Sequence, residues 1–575
     1  MCFEWAESCL EFFRGNCSVY YIFLVPLLIA ISPKTPVFAA HEFTVYRMQH
    51  FDLHGTPHGC RNSILNMEAR KLYTTPYTRR CVVARLSEFT LAQYQELIHQ
   101  NAGGLLILIP KSISSLPVPE QQVIMQLEKH MLEEDVIIPV YFAYETEELL
   151  EMYYSMEQTS SQQKARSAAE ELPASITSSG YQLVVSGPAP KPQSDTQIIS
   201  IQGKLCGFGV EEQLPTVAIV AHYDAYGIAP GLSYGSDSNG SGAAALLELA
   251  RLLSRLYTNS RTHPRFNLLF LLSGGGKFNY QGTKKWIEDN VDSSDASLLP
   301  DALYTLCLDS IGDDDNLYFH VSKPPKEGSA GDIFYKELQW AAAQSEERVN
   351  VSMIHKRINL ADELLSWEHE RFSIRRLPAF TLSHLQSPKS LKKTTILDTR
   401  DNVNVDKLAR NVRVIAEALA RHMYNISGEA LKSGIFSEGL HIQKDYLKAW
   451  IDELSSEPRS AQMLLSRSTK HPLILTMEQA LSRYLKDVKY SIFKPDKREP
   501  ELMFYEPVST VMNAYRIVVA GGISHQSLDS KHVSLHILET CKFTYACWKE
   551  IRMNDDLLPL LWYSAFVNSE PLLLF

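Results

Sequence analysis

Apolar positions along this chain fall into two kinds of run. Unbroken stretches rich in Val, Ile and Leu, CVVARL at 81–86, GLLILIP at 104–110 and VIIPVYFA at 136–143, predict buried strands. Helix-period segments such as 91–101 lie between them, so residues 41–175 predict an N-terminal α/β module. Residues 155–180 are polar and rich in Ser, Gln and Ala, which predicts a boundary. Strand patterns resume at 181–185, 197–201, 216–221 and 266–272. Between the last two, Leu246, Leu249, Leu253 and Leu256 recur near the helical period and predict one buried stripe on a helix over 242–257. Strand, helix, strand with continuous apolar runs implies a mixed, largely parallel sheet sandwiched by helices over residues 176–430. His222, directly after VAIVA, then lies at a strand's carboxyl end, where such sheets collect ligands. From residue 429 the pattern turns helical, and segments 440–454, 461–465, 477–488 and 507–515 predict a C-terminal helical arm over 431–516.

The two ends are patterned differently. Arg14 precedes an apolar stretch at 18–31, and small residues at Ala39 and Ala40 suit cleavage, so residues 1–40 predict a signal peptide and a mature chain beginning near His41. The competing reading is an uncleaved anchor, but the apolar stretch falls short of the roughly 20 residues of a full span. Either reading delivers the body to the secretory lumen. Residues 517–575 predict a divergent tail without a transmembrane helix: the longest apolar window, 557–567, is short and contains Pro559.

Composition narrows the function classes. With 575 residues, 45% of them hydrophobic and 21% charged, the chain has a core and is not broadly disordered. A formal net charge of -10 and the lack of a basic block exclude direct nucleic-acid binding. Nine cysteines without a CxxC do not form a dense disulfide scaffold; Cys60 and Cys81 are a possible pair by proximity in sequence. Sequons stand at Asn239, Asn350 and Asn425, and they matter in a lumenal protein. Asn425, ending a helical pattern, has the better case for exposure. Asn239 is either glycosylated, which would crowd a cleft, or buried in its turn. The run WEHERF at 367–372 lacks the HExxH spacing of a zinc site and predicts a surface charge cluster, and the glycines at 274–276 lack P-loop spacing and predict a tight turn.

The segments AHYDA, GSDSNGSG, NLLFLLSGGGKFNYQGTKKW, LCLDSIG and LPAFTLSHL, in this order, resemble the di-zinc aminopeptidase superfamily, which includes transferrin-receptor-like ectodomains and nicastrin. Further matches at AHEFTVYRMQ, VSKPP, INLAD, WEHERF and VMNAYR resemble its nicalin-like branch. The resemblance covers roughly residues 41–516 and implies a zinc aminopeptidase-like fold. By that resemblance the metal-binding His falls on His222, and Asp224 stands behind it. The bridging carboxylate falls on Ser238, the Glu-Glu pair of base and ligand on Gly276 and Lys277, and the next retained Asp on Asp309. The last His falls near Thr394 if Asp398 marks its acidic neighbour. A serine hydroxyl cannot bridge two cations, glycine takes no proton and an ammonium opposes a metal. No cofactor is therefore expected, and no catalysis. The alternative is an active zinc aminopeptidase whose site is rebuilt by His384, His369 or Glu368. The resemblance further implies a scaffold in an endoplasmic reticulum membrane complex with the Nodal modulator protein and a small multi-pass membrane protein. That complex is linked to the ribosome-associated translocon, to multi-pass membrane protein insertion and to antagonism of Nodal signalling.

Overall fold

The computed structural model describes residues 41–517 except 73–76, 165–179, 187–188, 293–296, 363, 427–433, 437–439, 466–470, 499 and 507–508. The expected leader and the tail beyond 517 lie outside the described residues. The chain divides into two compact units. One comprises Met1–Glu42, Tyr154–Gln182 and Asn513–Phe575, the other Phe43–Tyr153 and Leu183–Met512.

The described chain opens with β1 (His41–Arg47), β2 (His50–Leu53), β3 (Thr56–Cys60), β4 (Leu65–Lys71), β5 (Cys81–Arg85), β6 (Gly104–Ile109), β7 (Asp135–Val136) and β8 (Val140–Tyr144). β4, β5, β6 and β8 are parallel neighbours in that order, with β1 antiparallel beside β8. Parallel neighbours need crossovers, and the helices Leu91–His99 and Val118–Glu133 supply them, as the alternating pattern predicts. Cys60 and Cys81 do not pair. Both are free and buried, and the Cys60 thiol instead donates toward the carbonyls of Asn62 and Ile138.

The chain continues through β9 (Gly180–Val185), β10 (Pro192–Gln193), β11 (Ile198–Leu205), β12 (Thr216–His222), β13 (Asn267–Ser273), β14 (Ala302–Leu308), β15 (Asn316–Val321), β16 (Asn350–His355), β17 (Ala379–Ser383), β18 (Lys486–Phe493), β19 (Leu502–Tyr505) and β20 (Ser509–Ile517). Eight of these form one mixed sheet in the order β16-β15-β17-β14-β12-β13-β11-β18. Its centre, β17-β14-β12-β13, is parallel, and β12 and β13 are buried along their whole length. This is the α/β aminopeptidase-like sheet expected. The register places His222 opposite Ser273 and Leu308 opposite Leu382, so four strands deliver their carboxyl ends to one place.

Two expectations change. The helix Gly242–Thr258 is buried nearly all round instead of along one stripe, because residues 441–443 and the helix Lys444–Leu454 cover its outer face. Its two charged residues there satisfy each other: Arg251 Nε and Nη2 donate to Glu248 at 2.6 and 2.7 Å. The C-terminal arm is helical only in part. After helices Lys444–Leu454, Ala461–Leu464 and Pro472–Ser482, residues 486–488 and, of the segment 507–515 read as helix, the described residues 509–515 lie in strands, β18 and β20. β18 completes an edge of the eight-stranded sheet by pairing with β11. Alternating charged and apolar residues fit either period in so short a segment, and the available sheet edge decides between them.

Candidate functional site

At the carboxyl edge of the central strands, the loop Ser236–Ser241 and the turn after β13 close over the end of β12. Asp224, two residues beyond the strand, accepts the backbone N–H of Gly276 at 2.7 Å and of Lys277 at 3.2 Å, and so fixes that turn. Gly275 sits at φ +67°, as a tight turn requires. A Cβ on Gly276 would come within 2.3 Å of His222 Cγ. The imidazole thus fills the space in which a side chain at position 276 would stand, and no general base fits there without moving it.

Lys277 extends into the cleft. Its Nζ donates to Ser238 Oγ at 2.5 Å and to the Lys393 carbonyl at 3.3 Å. Burial lowers its pKa to about 8, against the attraction of Asp309. Lys393 brings a second ammonium to 2.8 Å from Asp309 Oδ2, with the same Nζ 3.9 Å from the centre of the Trp367 ring. Burial alone would raise the Asp309 carboxyl, but Lys393, with His222 and Lys277, holds it well below the usual carboxylate range. Position 394 is a half-buried threonine, and the lysine beside it does the electrostatic work. The sequence reading missed Lys393. Its signal was the Lys392-Lys393 pair beside the position where a histidine was sought.

The other carboxylates are also committed. Asp398 accepts the backbone N–H groups of Asp237 and Ser238 at 2.9 and 2.8 Å, and burial, with repulsion from Asp237, raises its pKa to about 6. Asp237 is paired with His384, whose Nε2 lies 2.6 Å from Oδ2. Glu368 stands 3.3 Å from His222 Nδ1 and accepts the hydroxyls of Ser273 at 2.7 Å and Thr283 at 2.5 Å. His369 faces Thr381 Oγ1 at 2.8 Å. The run at 367–372 is therefore not a surface charge cluster: Trp367, Glu368, His369 and Glu370 are all buried. Glu368 lies under the cleft and the short helix His369–Ile374 begins beside it, with Glu370 accepting the Ser366 N–H.

Asn239 is wholly buried. Its Nδ2 donates to the carbonyls of His222 at 3.0 Å and Leu308 at 2.7 Å, while Oδ1 accepts the N–H groups of Gly242 and Ser310. It ties the loop to β12 and β14, and the nitrogen that a glycan would need is enclosed, so the sequon reading at Asn239 is corrected. Arg459 anchors the same loop from behind, donating Nη2 to the carbonyls of Tyr234 at 2.9 Å and Gly235 at 2.6 Å. Asn350 and Asn425 are exposed.

The donor set does not suit a pair of divalent ions. His222 and Asp309 converge, but beside them stand a hydroxyl, too weak a donor to bridge two cations, and two ammoniums, which repel them. Among the described residues no three His, Cys, Asp or Glu side chains are placed to hold a metal ion.

Peptidase family M28 matches residues 209–419. The BOS complex subunit NCLN of Homo sapiens is 49% identical over 502 residues, covering 87% of this chain and 88% of that protein. The chain belongs to the nicalin family. A Caenorhabditis elegans relative, named nicalin, is 29% identical over 79% of this chain and 83% of its own length. The fold is shared more widely. The crystal structure of the γ-secretase component nicastrin superposes with a TM-score of 0.55 at 13% identity, covering 84% of this chain and all of that one. The match to a peptidase family spans the central sheet and the loops that form the cleft.

Proposed function

We propose that this chain is a non-catalytic scaffold subunit of an endoplasmic reticulum membrane complex, its folded body in the lumen. The observation that carries this reading is the pair of lysines: Lys277 bonded to Ser238 and Lys393 set against Asp309 put ammonium charge where a di-zinc peptidase needs cations. A peptidase without its base loses roughly 10²–10⁴ in rate from that change alone. Gly276 leaves no room for a replacement. A fold relieved of chemistry keeps its outer surfaces for assembly.

The complex-subunit name of the human relative supports assembly as the role. The partners in this reading are the Nodal modulator protein and a small multi-pass membrane protein at the ribosome-associated translocon. Its outputs are multi-pass membrane protein insertion and antagonism of Nodal signalling. Among the described residues no helix is long and apolar enough to cross a membrane.

Two measurements on the full chain test this. Affinity capture from endoplasmic reticulum membranes should recover both partners, and elemental analysis of the purified protein should find zinc well below one equivalent with no aminoacyl hydrolysis. Stoichiometric zinc with a chelator-sensitive activity lost in His222→Ala would overturn the non-catalytic reading. Capture that recovers neither partner would overturn the assembly reading.

A further inference from the structure

The eight-stranded sheet ends in two unlike edges. β18 carries Lys486, Asp487 and Lys489, and the helix Gln281–Val291 reaches it through a 2.6 Å hydrogen bond from Ser491 Oγ to Asp289. Charge and cover of this kind keep an edge from recruiting further strands. β16, at the other end, reads Asn350-Val351-Ser352-Met353-Ile354-His355 and contains no Lys, Arg, Asp or Glu. It pairs in parallel with β15 alone. The N–H groups of Asn350 and Lys356 point inward, to Asp315 and Val321. By the alternation of a strand, the backbone groups of Val351, Met353 and His355 therefore point outward. The Tyr335 hydroxyl meets the backbone of Met353. Val351, next to Asn350, is left at the edge.

We propose that Asn350 carries an N-linked glycan that shields this edge, an inference that rests on the lumenal reading above. Asn350 is exposed, as is Ser352 two residues on, which completes the sequon. Its amide Nδ2 donates to Asn316 Oδ1 at 3.3 Å at the surface. Glycosylation leaves one N–H on that nitrogen as a donor. In the transfer, Nδ2 bonds to the anomeric carbon of an oligosaccharide supplied on a polyprenyl diphosphate. The bond from that carbon to the diphosphate breaks, the diphosphate leaves with the bonding pair and one amide proton is given up. Beside Asn350 lies an open cavity of about 580 Å³ lined by Gln339, Ser345, Glu346 and Arg348, polar side chains suited to the hydroxyls of the first sugar. The three sequons of the expected mature chain then separate by structure: Asn350 and Asn425 accept a glycan, and buried Asn239 does not.

Full-length chain made in cells with a secretory pathway, treated with an endoglycosidase and mapped by glycopeptide mass spectrometry, tests the site. Asn350→Gln and Ser352→Ala should each lose one glycan step, Asn425→Gln should lose the other, and the Asn239 peptide should be unmodified. A glycan on Asn425 with none on Asn350 overturns the inference while leaving the lumenal reading intact; no glycan anywhere overturns both. Light scattering tests the role. Asn350→Gln and Ser352→Ala should self-associate as concentration rises, Asn425→Gln should not, and adding Val351→Lys to Asn350→Gln should restore the wild-type mass. An unchanged mass for both edge variants overturns the shielding role.

Discussion

Single side chains decide what the cleft can do. Gly276→Ala puts a methyl against the His222 ring, and forced overpacking of this kind costs about 1–3 kcal/mol. The urea midpoint should fall with an unchanged slope. Lys393 is the sharper test. Removing one member of a buried ion pair costs about 3–5 kcal/mol, so Lys393→Met should be strongly destabilised at neutral pH, and adding Asp309→Asn should recover much of the loss. The pH response distinguishes this from loss of packing. In the native chain the Asp309 carboxyl is held below its unfolded value of about 3.9, so its stabilisation is complete above that pH and is lost as the pH falls through the folded value. In Lys393→Met, burial without its main partner raises the carboxyl, and stability should instead decline as the pH rises past about 4. Denaturation curves between pH 3 and 8 read the change of slope.

Among the elements, the helix Gly242–Thr258 depends on its C-terminal cover. Glu248 receives Arg251 on one side and the backbone N–H of Gln443 at 2.8 Å on the other, so an ion pair inside one helix also fixes a segment some 195 residues later. Arg251→Met leaves Glu248 buried without its partner and should cost about 3–5 kcal/mol, whereas the pair Arg251→Met with Glu248→Leu should lie closer to the native stability. A double-mutant cycle by thermal or urea denaturation measures the coupling. An additive result would mean that the two residues act separately and that the cover is held by apolar packing alone.

At the scale of the molecule, the N-terminal α/β module and the cleft are joined through Glu128. This residue of the helix Val118–Glu133 is buried, accepts the Thr395 hydroxyl and accepts the Ile396 N–H at 3.0 Å, and so grips the loop that also carries Lys393 and Asp398. Burial raises its pKa to about 7, against the lowering effect of those two bonds. A carboxyl raised on folding contributes stability below its unfolded pKa of about 4.3 and loses it as the pH climbs through the folded value. Melting temperature should therefore decline between about pH 5 and 7 by this group. Glu128→Gln, which keeps an oxygen acceptor without the titration, should flatten that decline and raise stability above pH 7. A melting profile with the same slope in both proteins would remove Glu128 as its source.

The sequence by itself determined the alternation of strands and helices, the sheet's parallel centre and the placing of His222 at a strand end. These are local properties: period, composition and residue type at a spacing. Tertiary structure decided which side chains occupy the cleft. Lys393 lies more than a hundred residues from Lys277, and only the convergence of β12, β13, β14 and β17 brings their charges to one cleft. The same holds for Glu368, whose charge reads as surface in sequence and lies at the bottom of the site, and for Asn239, whose sequon is intact but whose amide is spent on two backbone carbonyls. Burial and partnership depend on residues far along the chain, and no pattern within one segment contains them.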